Sequence, residues 1–363
     1  MPTIRVLIVD DAVVVRQLVS KALSVDPELD VVGVAANGRI ALAKIPQVNP
    51  DVIVLDLAMP EMDGLEMLKS LRETYPKLPV IMFSALTERG AVETLDALAL
   101  GATDYITKPV SKNKDEAMQY IQAQLIPRLK VFCPTGVMTP SKPIGLRTQV
   151  TSRSHPTTRL PTTRLSTTPT HPVDILAIGV STGGPNALTA LFSALPADLP
   201  VPIVIVQHMP PLFTKRLAER LTAQGQLPVT EGASGSVLHP SKAWMAPGDF
   251  HMVVQREGTL VTLQLHQAPP ENSCRPSVDV LFRSVAKTYG PGTLGLVLTG
   301  MGQDGLNGCE YIREVGGQIL VQDEASSVVW GMPGIVAQAG LANQVLPLEQ
   351  MAGEVVKRVG RCG

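Results

Sequence analysis

The sequence predicts two α/β domains joined by a flexible linker. Apolar runs of strand length alternate with helix-like stretches over residues 1–130, and the same alternation returns over residues 173–363. Residues 131–172 between them are rich in Thr, Ser and Pro. A length of 363 residues also favours two domains over one.

Five apolar segments of the first domain predict parallel strands, because each is followed by a stretch with helical periodicity. Such an alternation gives a parallel sheet with helices on both faces. Right-handed crossovers limit the strand orders, but the order itself cannot be read from the segments. The segments are IRVLIVDD (4–11), DVVGVAA (30–36), DVIVLDLAMP (51–60), PVIMFSAL (79–86) and ATDYITKP (102–109).

The second domain repeats the pattern and predicts a three-layer α/β/α, mostly parallel, doubly wound fold. Residues 251–265 interrupt it with alternating polarity and predict an antiparallel hairpin turning at Glu257-Gly258. The strand-like segments are 173–181, 200–209, 242–247, 293–300 and 316–323, and the helix-like ones are 184–195, 213–224, 277–289 and 303–315.

The linker carries basic residues and no acidic ones. Its apolar content is too low to offset the entropy of ordering, so we predict an extended, solvated tether. A docking strip for an acidic partner is the alternative. Its basic residues include Lys142, Arg147, Arg153, Arg159 and Arg164.

Composition excludes several classes of protein. Hydrophobic residues at 45% and charged residues at 17% exclude a wholly disordered chain. Aromatic residues at 4% argue against stacking platforms for single-stranded nucleic acid, and a net charge of −1 gives no basic field for nucleic acid or anionic lipid. No apolar run is long enough to span a membrane, and the first residues lead directly into a strand, unlike a signal peptide.

The cysteines are far apart and form no CxxC pair, so we predict free thiols in a reducing, cytoplasmic compartment. They are Cys133, Cys274, Cys309 and Cys362.

Acidic residues follow two predicted strands of the first domain. Asp10 and Asp11 end the first strand, and Asp56 ends the third. The ends of parallel strands converge on one crevice, and three carboxylates there favour a hard, oxygen-liganded cation such as Mg²⁺. Ser84 and Lys108 end two further strands and can bind a phosphoryl group, which an aspartate can accept. For Asp11 alone, a helix N-cap is the simpler alternative.

The second domain has a G-x-S-x-G motif, Gly179 to Gly183, directly after a predicted strand. A serine there lies on a tight turn with an exposed hydroxyl, so Ser181 is the candidate nucleophile. A phosphate-binding turn at Gly183-Gly184 is the alternative. His208 is the favoured base, because it alone among the histidines follows a buried parallel-type strand.

That base needs an acid to orient it. Asp304 follows another predicted strand and has glycine neighbours in the segment TGMGQDG. Asp249 and Asp279 are the alternative orienting acids. Asp304 is favoured over them, because the sequence predicts a turn residue at Asp249 and a helix N-terminal acid at Asp279. The order Ser, His, Asp differs from that of α/β-hydrolases, so the triad is recognised by the roles of its members.

Residues 3–125 resemble the receiver domain of response regulators, a flavodoxin-like (βα)5 fold. The matching motifs are VDD (9–11), DLAMPEMDG (56–64), SAL (84–86) and DYITKP (104–109). The resemblance implies that Asp56 is phosphorylated and that Asp10 and Asp11 hold Mg²⁺ with it. It further implies that Ser84 and Lys108 sense the phosphoryl group and that Tyr105 is the switching aromatic residue.

The second domain resembles the chemotaxis protein-glutamate methylesterases, the CheB family. The resemblance implies Ser181 as nucleophile, His208 as base and Asp304 as orienting acid, with Thr182 beside the nucleophile and the Met301 N–H at the oxyanion. Cys274 replaces a common His and Phe250 a frequent Arg, and neither is expected to touch the triad. The matching stretches are 178–188, 206–221, 246–252, 275–286 and 298–305.

This family resemblance implies a cytoplasmic, phosphorylation-activated hydrolase with no cofactor for ester hydrolysis. Methyl-accepting chemoreceptors would be its substrates, for demethylation and glutamine deamidation, and a chemotaxis histidine kinase its phosphodonor. Two rival classes are weaker. A DNA-binding regulator would need a basic helix-turn-helix, which the second domain lacks, and the intact Ser181, His208 and Asp304 argue against a scaffold without activity.

Overall fold

A computed structural model describes residues 3–111, 113–133 and 171–360 of the chain. The predicted linker, residues 131–172, falls mostly outside the described residues, so the tether and the docking strip both stay predictions. None of the helices within the described ranges is long and apolar enough to cross a bilayer.

The first domain has a five-stranded parallel sheet in the order β2-β1-β3-β4-β5. The middle strands β3 and β4 are buried along their whole length, because helices cover both faces. The predicted fold class is confirmed here. The strands are β1 Ile4–Val9, β2 Leu29–Ala35, β3 Val52–Asp56, β4 Val80–Ser84 and β5 Asp104–Thr107, and the helices are α1 Val13–Leu23, α2 Gly38–Val48, α3 Gly64–Thr74, α4 Glu88–Ala99 and α5 Lys114–Phe132.

The second domain has a seven-stranded sheet in the order β14-β13-β12-β6-β7-β9-β8, and every pairing in it is parallel. Its strands are β6 Ile175–Val180, β7 Ile203–Gln207, β8 Val229–Glu231, β9 Ala243–Met245, β12 Thr293–Val297, β13 Gln318–Gln322 and β14 Gln344–Leu346. Its helices are α6 Gly184–Ala194, α7 Phe213–Gln224, α8 Val278–Tyr289, α9 Leu306–Glu314, α10 Met332–Gln338 and α11 Leu348–Val359.

The predicted hairpin is present as a separate two-stranded sheet, β10 His251–Glu257 and β11 Leu260–His266. Glu257 pairs with Leu260, so the two loop residues are Gly258 and Thr259, one position later than predicted. Gly258 has a φ of +62°, a backbone conformation that glycine adopts without strain.

The two domains pack against each other through one continuous hydrophobic cluster. Helix α4 of the first domain lies on α6 and α7 of the second. Tyr105 of β5 stacks on Phe213 at the start of α7, with ring centroids 5.0 Å apart and an interplanar angle of 7°. Arg220 on α7 pairs with Asp96 on α4 at 2.7 Å. The first domain therefore lies against α6 and α7, the helices that follow the central strands of the second sheet.

Candidate active site

The strand order of the second sheet gathers the three predicted catalytic residues. From the central strand β6 the chain proceeds to β7 on one side, while β12 lies on the other side, so the carboxyl end of β6 is a topological switch point. Ser181 follows β6 directly, His208 follows β7 directly, and Asp304 lies in the loop between β12 and α9. Open α/β sheets bind ligands at this point.

The turn that carries Ser181 is fixed by its neighbours. The Ser181 N–H donates to the Thr299 carbonyl at 3.0 Å, and Gln207 Nε2 donates to the Ser181 carbonyl at 2.9 Å. Gly183 is the N-cap of α6 with a φ of +78°, and a Cβ there would lie 2.6 Å from Val328. Only glycine fits this turn, which holds Ser181 at the N-terminus of α6.

The Asp304 carboxylate is buried at the N-terminus of α8 and contacts His208 Nε2 at 2.8 Å. Burial alone raises the pKa of Asp304, but the hydrogen bonds from His208 and from the start of α8 lower it to about 2. Asp304 is therefore ionised at neutral pH. Its other donors are Val278 N (2.7 Å), Asp279 N (3.1 Å), Ser277 Oγ (2.8 Å) and Asn272 Nδ2 (3.0 Å).

The two alternative acids have other partners. Asp279 Oδ1 accepts hydrogen bonds from Gly305 N and Gly308 N, so it binds the start of α9 as well as lying in the first turn of α8. Asp249, a turn residue with a φ of +66°, pairs with Arg275. Only Asp304 of the three contacts His208 among the described residues.

His208 is held between Asp304 and Cys274. Because ionised Asp304 can only accept, Nε2 carries the proton, and in the neutral ring Nδ1 is the acceptor. Nδ1 faces Cys274 Sγ at 3.6 Å. The expectation that Cys274 does not touch the triad is therefore wrong, because the loop before α8 turns the thiol onto the imidazole. Burial alone lowers the pKa of His208, but the hydrogen bond with the Asp304 carboxylate raises it above 6.5.

Ser181 and His208 line the same cleft of about 740 Å³, yet within the described residues no hydrogen bond joins them. Thr182 and Met301 also line this cleft, and their backbone N–H groups have no partner among the described residues, so both can donate to an oxyanion. Thr182 is buried, with 6% of its surface exposed, and its hydroxyl donates to Asp104 of the first domain at 3.2 Å. The first domain thus contacts the residue next to Ser181.

The acidic residues of the first domain also meet. Carboxylate oxygens of Asp10, Asp11 and Asp56 lie within 4.8 Å of one another, which fits the oxygen donor set that Mg²⁺ requires. Lys108 Nζ lies 2.8 Å from Asp10 Oδ2 and 2.9 Å from Asp56 Oδ2. Asp10 Oδ2, however, is buried without a well-aligned hydrogen bond. The N-cap of α1 is Ala12 without a side-chain cap, so Asp11 is not a helix cap.

Charge and burial oppose each other at this acidic cluster. Burial raises the pKa of Asp56, with the Asp10 charge adding to it, and Lys108 offsets part of the rise. Burial alone would lower the pKa of Lys108, but both carboxylates raise it. The site therefore holds negative charge that a divalent cation can neutralise.

Two of the predicted sensing residues point elsewhere in this structure. The Ser84 hydroxyl contacts the carbonyl oxygens of Ala85 and Gly90, with no hydrogen bond to Asp56 among the described residues. Tyr105 stacks on Phe213 of the second domain. The sequence analysis did not identify Phe213, Asp104 or Asn272 as site residues, because each acts across a contact between distant segments.

Fold and geometry define a class of two-domain protein. A domain with an acidic pocket packs on an α/β domain whose switch point gathers a serine, a histidine and an aspartate. Residues 6–121 match the family model of the response regulator receiver domain, and residues 176–355 match that of the CheB methylesterase. The chain belongs to the CheB methylesterase family and carries a receiver domain.

Relatives that match this chain over nearly their whole length are named for two activities. A protein-glutamate methylesterase/protein-glutamine glutaminase of Trichodesmium erythraeum is 58% identical over 99% of this chain and 100% of its own. One of the same name from a Nocardioides species is 49% identical over 99% and 97%. The crystal structure of the Thermotoga maritima CheB methylesterase catalytic domain is 38% identical, with a TM-score of 0.50, covering 51% of this chain and 98% of that one.

The half-buried His208 and the buried His251 should titrate in opposite directions. We expect the His208 ring to titrate above pH 6.5, because the Asp304 carboxylate favours its charged form, and His251 to titrate below it, because burial disfavours its charge. Asp304→Asn should lower the His208 value and leave His251 unchanged. Imidazole resonances followed by NMR against pH, assigned with His208→Gln and His251→Gln, check this. A His208 midpoint below 6.5 would contradict the described contacts.

Proposed function

We propose that this chain hydrolyses glutamate methyl esters on methyl-accepting chemoreceptors, releasing methanol, and deamidates receptor glutamines, as part of chemotactic adaptation in the cytoplasm. The observation that supports it is the gathering of Ser181, His208 and Asp304 at one switch point beneath a receiver domain. We assign residues 1–130 to the receiver domain, 131–172 to the linker and 173–363 to the catalytic domain.

In the proposed reaction Ser181 Oγ attacks the ester carbonyl carbon, and His208 Nδ1 accepts its proton. The imidazolium then protonates the departing methoxide, and methanol leaves an acyl-enzyme. Water, deprotonated by His208, releases the glutamate; with glutamine the leaving group is ammonia. The N–H groups of Thr182 and Met301 stabilise the oxyanion, where one donor is typically worth about 2.7–4 kcal/mol. No cofactor takes part in these steps.

Ser181→Ala should reduce ester hydrolysis by roughly 1000-fold or more, since removal of a triad member costs at least that much. Ser193→Ala is the matched control, because Ser193 is an exposed serine on α6, the helix that follows the Ser181 turn, and its hydroxyl donates to the backbone carbonyls of Thr189 and Gln224. Methanol release from methylated receptor membranes measures both variants. Substantial turnover by Ser181→Ala would remove Ser181 from the role of nucleophile.

We propose that the receiver domain inhibits the catalytic domain until a histidine kinase phosphorylates Asp56. Asp10, Asp11 and Asp56 would hold Mg²⁺, which neutralises charge on the incoming phosphoryl group. Lys108 pairs with the phosphoryl oxygens, and Ser84 turns to donate to them. Lys108 directly follows β5, the strand whose Asp104 and Tyr105 contact the catalytic domain, so its repositioning loosens those contacts.

Asp56→Asn should abolish activation by a small phosphodonor and retain the basal rate, because an amide cannot form the acyl phosphate. The control is Asp30→Asn, which changes an exposed aspartate on β2 of the same domain. Ester hydrolysis is measured with and without acetyl phosphate and Mg²⁺. Normal activation of the Asp56→Asn protein would show that the phosphoacceptor lies elsewhere.

Inhibition by docking can be tested with a charge swap across the interface. Arg220→Asp places two acids opposite each other at Asp96, so the unphosphorylated chain should undock and hydrolyse ester roughly two- to fivefold faster, the range expected for a partly exposed pair. Adding Asp96→Arg restores the opposite charges and should restore inhibition. The basal ester-hydrolysis rate of both variants is the measurement. A rise that the second change does not reverse would mean that Arg220 acts on the catalytic domain directly.

A further inference from the structure

The catalytic cleft contains a second arrangement of reactive side chains besides the proposed triad. A ring nitrogen of His208, Cys274 Sγ and a carboxylate oxygen of Asp304 lie within 4.8 Å of one another. His208 lies in the middle, with Asp304 at Nε2 (2.8 Å) and Cys274 at Nδ1 (3.6 Å). Ester hydrolysis as proposed makes no use of the thiol.

The position of Cys274 is built by the segment before it. Asn272 and Ser273 have φ values of +51° and +61°, which two successive non-glycine residues adopt only when their surroundings impose it. The Asn272 amide donates to both Asp279 and Asp304, and Cys274 exchanges backbone hydrogen bonds with Glu271. The same anchors that hold Asp304 therefore direct the thiol at His208.

The distance between the thiol and the imidazole fits a shared metal ion. A tetrahedral zinc ion, with Zn–N of about 2.0–2.1 Å and Zn–S of about 2.3 Å, separates the two ligand atoms by about 3.5–3.6 Å. Nδ1 and Sγ are 3.6 Å apart. A histidine that binds a metal usually donates its other N–H to a carboxylate, and Nε2 of His208 already contacts Asp304.

We propose that Cys274 and His208 form a binding site for a thiophilic divalent cation, with Zn²⁺ as the best match. The ion binds Cys274 Sγ and the lone pair of His208 Nδ1, Asp304 orients the ring, and water fills the remaining positions. The thiol proton is released to solvent and no electron is transferred. Because Nδ1 has one lone pair, the bound ion occupies the atom that must accept the Ser181 proton. This inhibitory consequence rests on the proposed function; the binding itself does not.

Binding is tested on the full chain with Co²⁺, whose thiolate complexes show a near-ultraviolet charge-transfer band. Excess Mg²⁺ occupies the oxygen-rich cluster of the receiver domain during the titration. We expect the band in the wild-type protein and in Cys133→Ala, the matched control, whose thiol lies in the first domain, hydrogen-bonded to the Asp51 carbonyl and packed against the hydrophobic core. Cys274→Ala and Cys274→Ser should lose it, and Zn²⁺ should displace it. Affinity should fall by roughly 100-fold or more, since losing even an indirect partner of a metal costs about 10–100-fold.

Activity provides the second measurement. Micromolar Zn²⁺ should inhibit methanol release by the wild-type protein and by Cys133→Ala, EDTA should reverse it, and Cys274→Ala should resist. An unchanged charge-transfer band in both Cys274 variants, or no band in the wild-type protein, would overturn the proposal. A normal band in a protein without esterase activity would instead support the metal site and contradict the proposed function.

Discussion

The catalytic domain depends on one buried interaction, the Asp304 carboxylate held at the N-terminus of α8. Two backbone N–H groups of that helix and two side chains bind it, so its charge is compensated before His208 contributes. This arrangement sets the tautomer of His208, and it anchors the segment that carries Cys274. A second acid, Asp279, binds the start of α9 from the same helix turn. Two helix termini and the imidazole of His208 are therefore fixed by neighbouring carboxylates.

Strand β5 connects the two candidate sites of the molecule. Asp104 and Tyr105 contact the catalytic domain, and Lys108, directly after the strand, contacts Asp10 and Asp56. Four residues of extended chain span about 13 Å, so a single strand separates Lys108 from the interface residue Asp104. Asp104 also pairs with Arg128 of α5, and burial raises its pKa. The buried Asp104 carboxylate accepts hydrogen bonds from Arg128 in its own domain and from Thr182 in the catalytic domain. These bonds favour the docked arrangement of the two domains.

The sequence predicted the fold class and the positions of the chemical groups, because both follow from local patterns. Strand-end acids, the G-x-S-x-G turn and His208 after an apolar strand are all readable within about ten residues. The edge strands β8 and β14 were not predicted, since each has three residues of which only one is buried, so that no apolar run marks it. The Cys274–His208 contact was predicted wrongly, and Phe213 was not identified as the partner of Tyr105. These contacts join segments far apart in sequence, where pattern carries no information on distance.

His208 Nδ1 has a single lone pair, so only one partner can occupy it at a time. In the described structure the Cys274 thiol faces it, but a thiol is a weak donor, and the Ser181 hydroxyl can replace it at small cost. The thiol contact alone is therefore too weak to inhibit the enzyme. In the inhibition that we propose, the docked receiver domain contributes the larger free energy, through an apolar cluster and several hydrogen bonds across the interface. Cys274 becomes a strong competitor only when a metal ion replaces its proton, because the thiolate and the imidazole then hold the ion together.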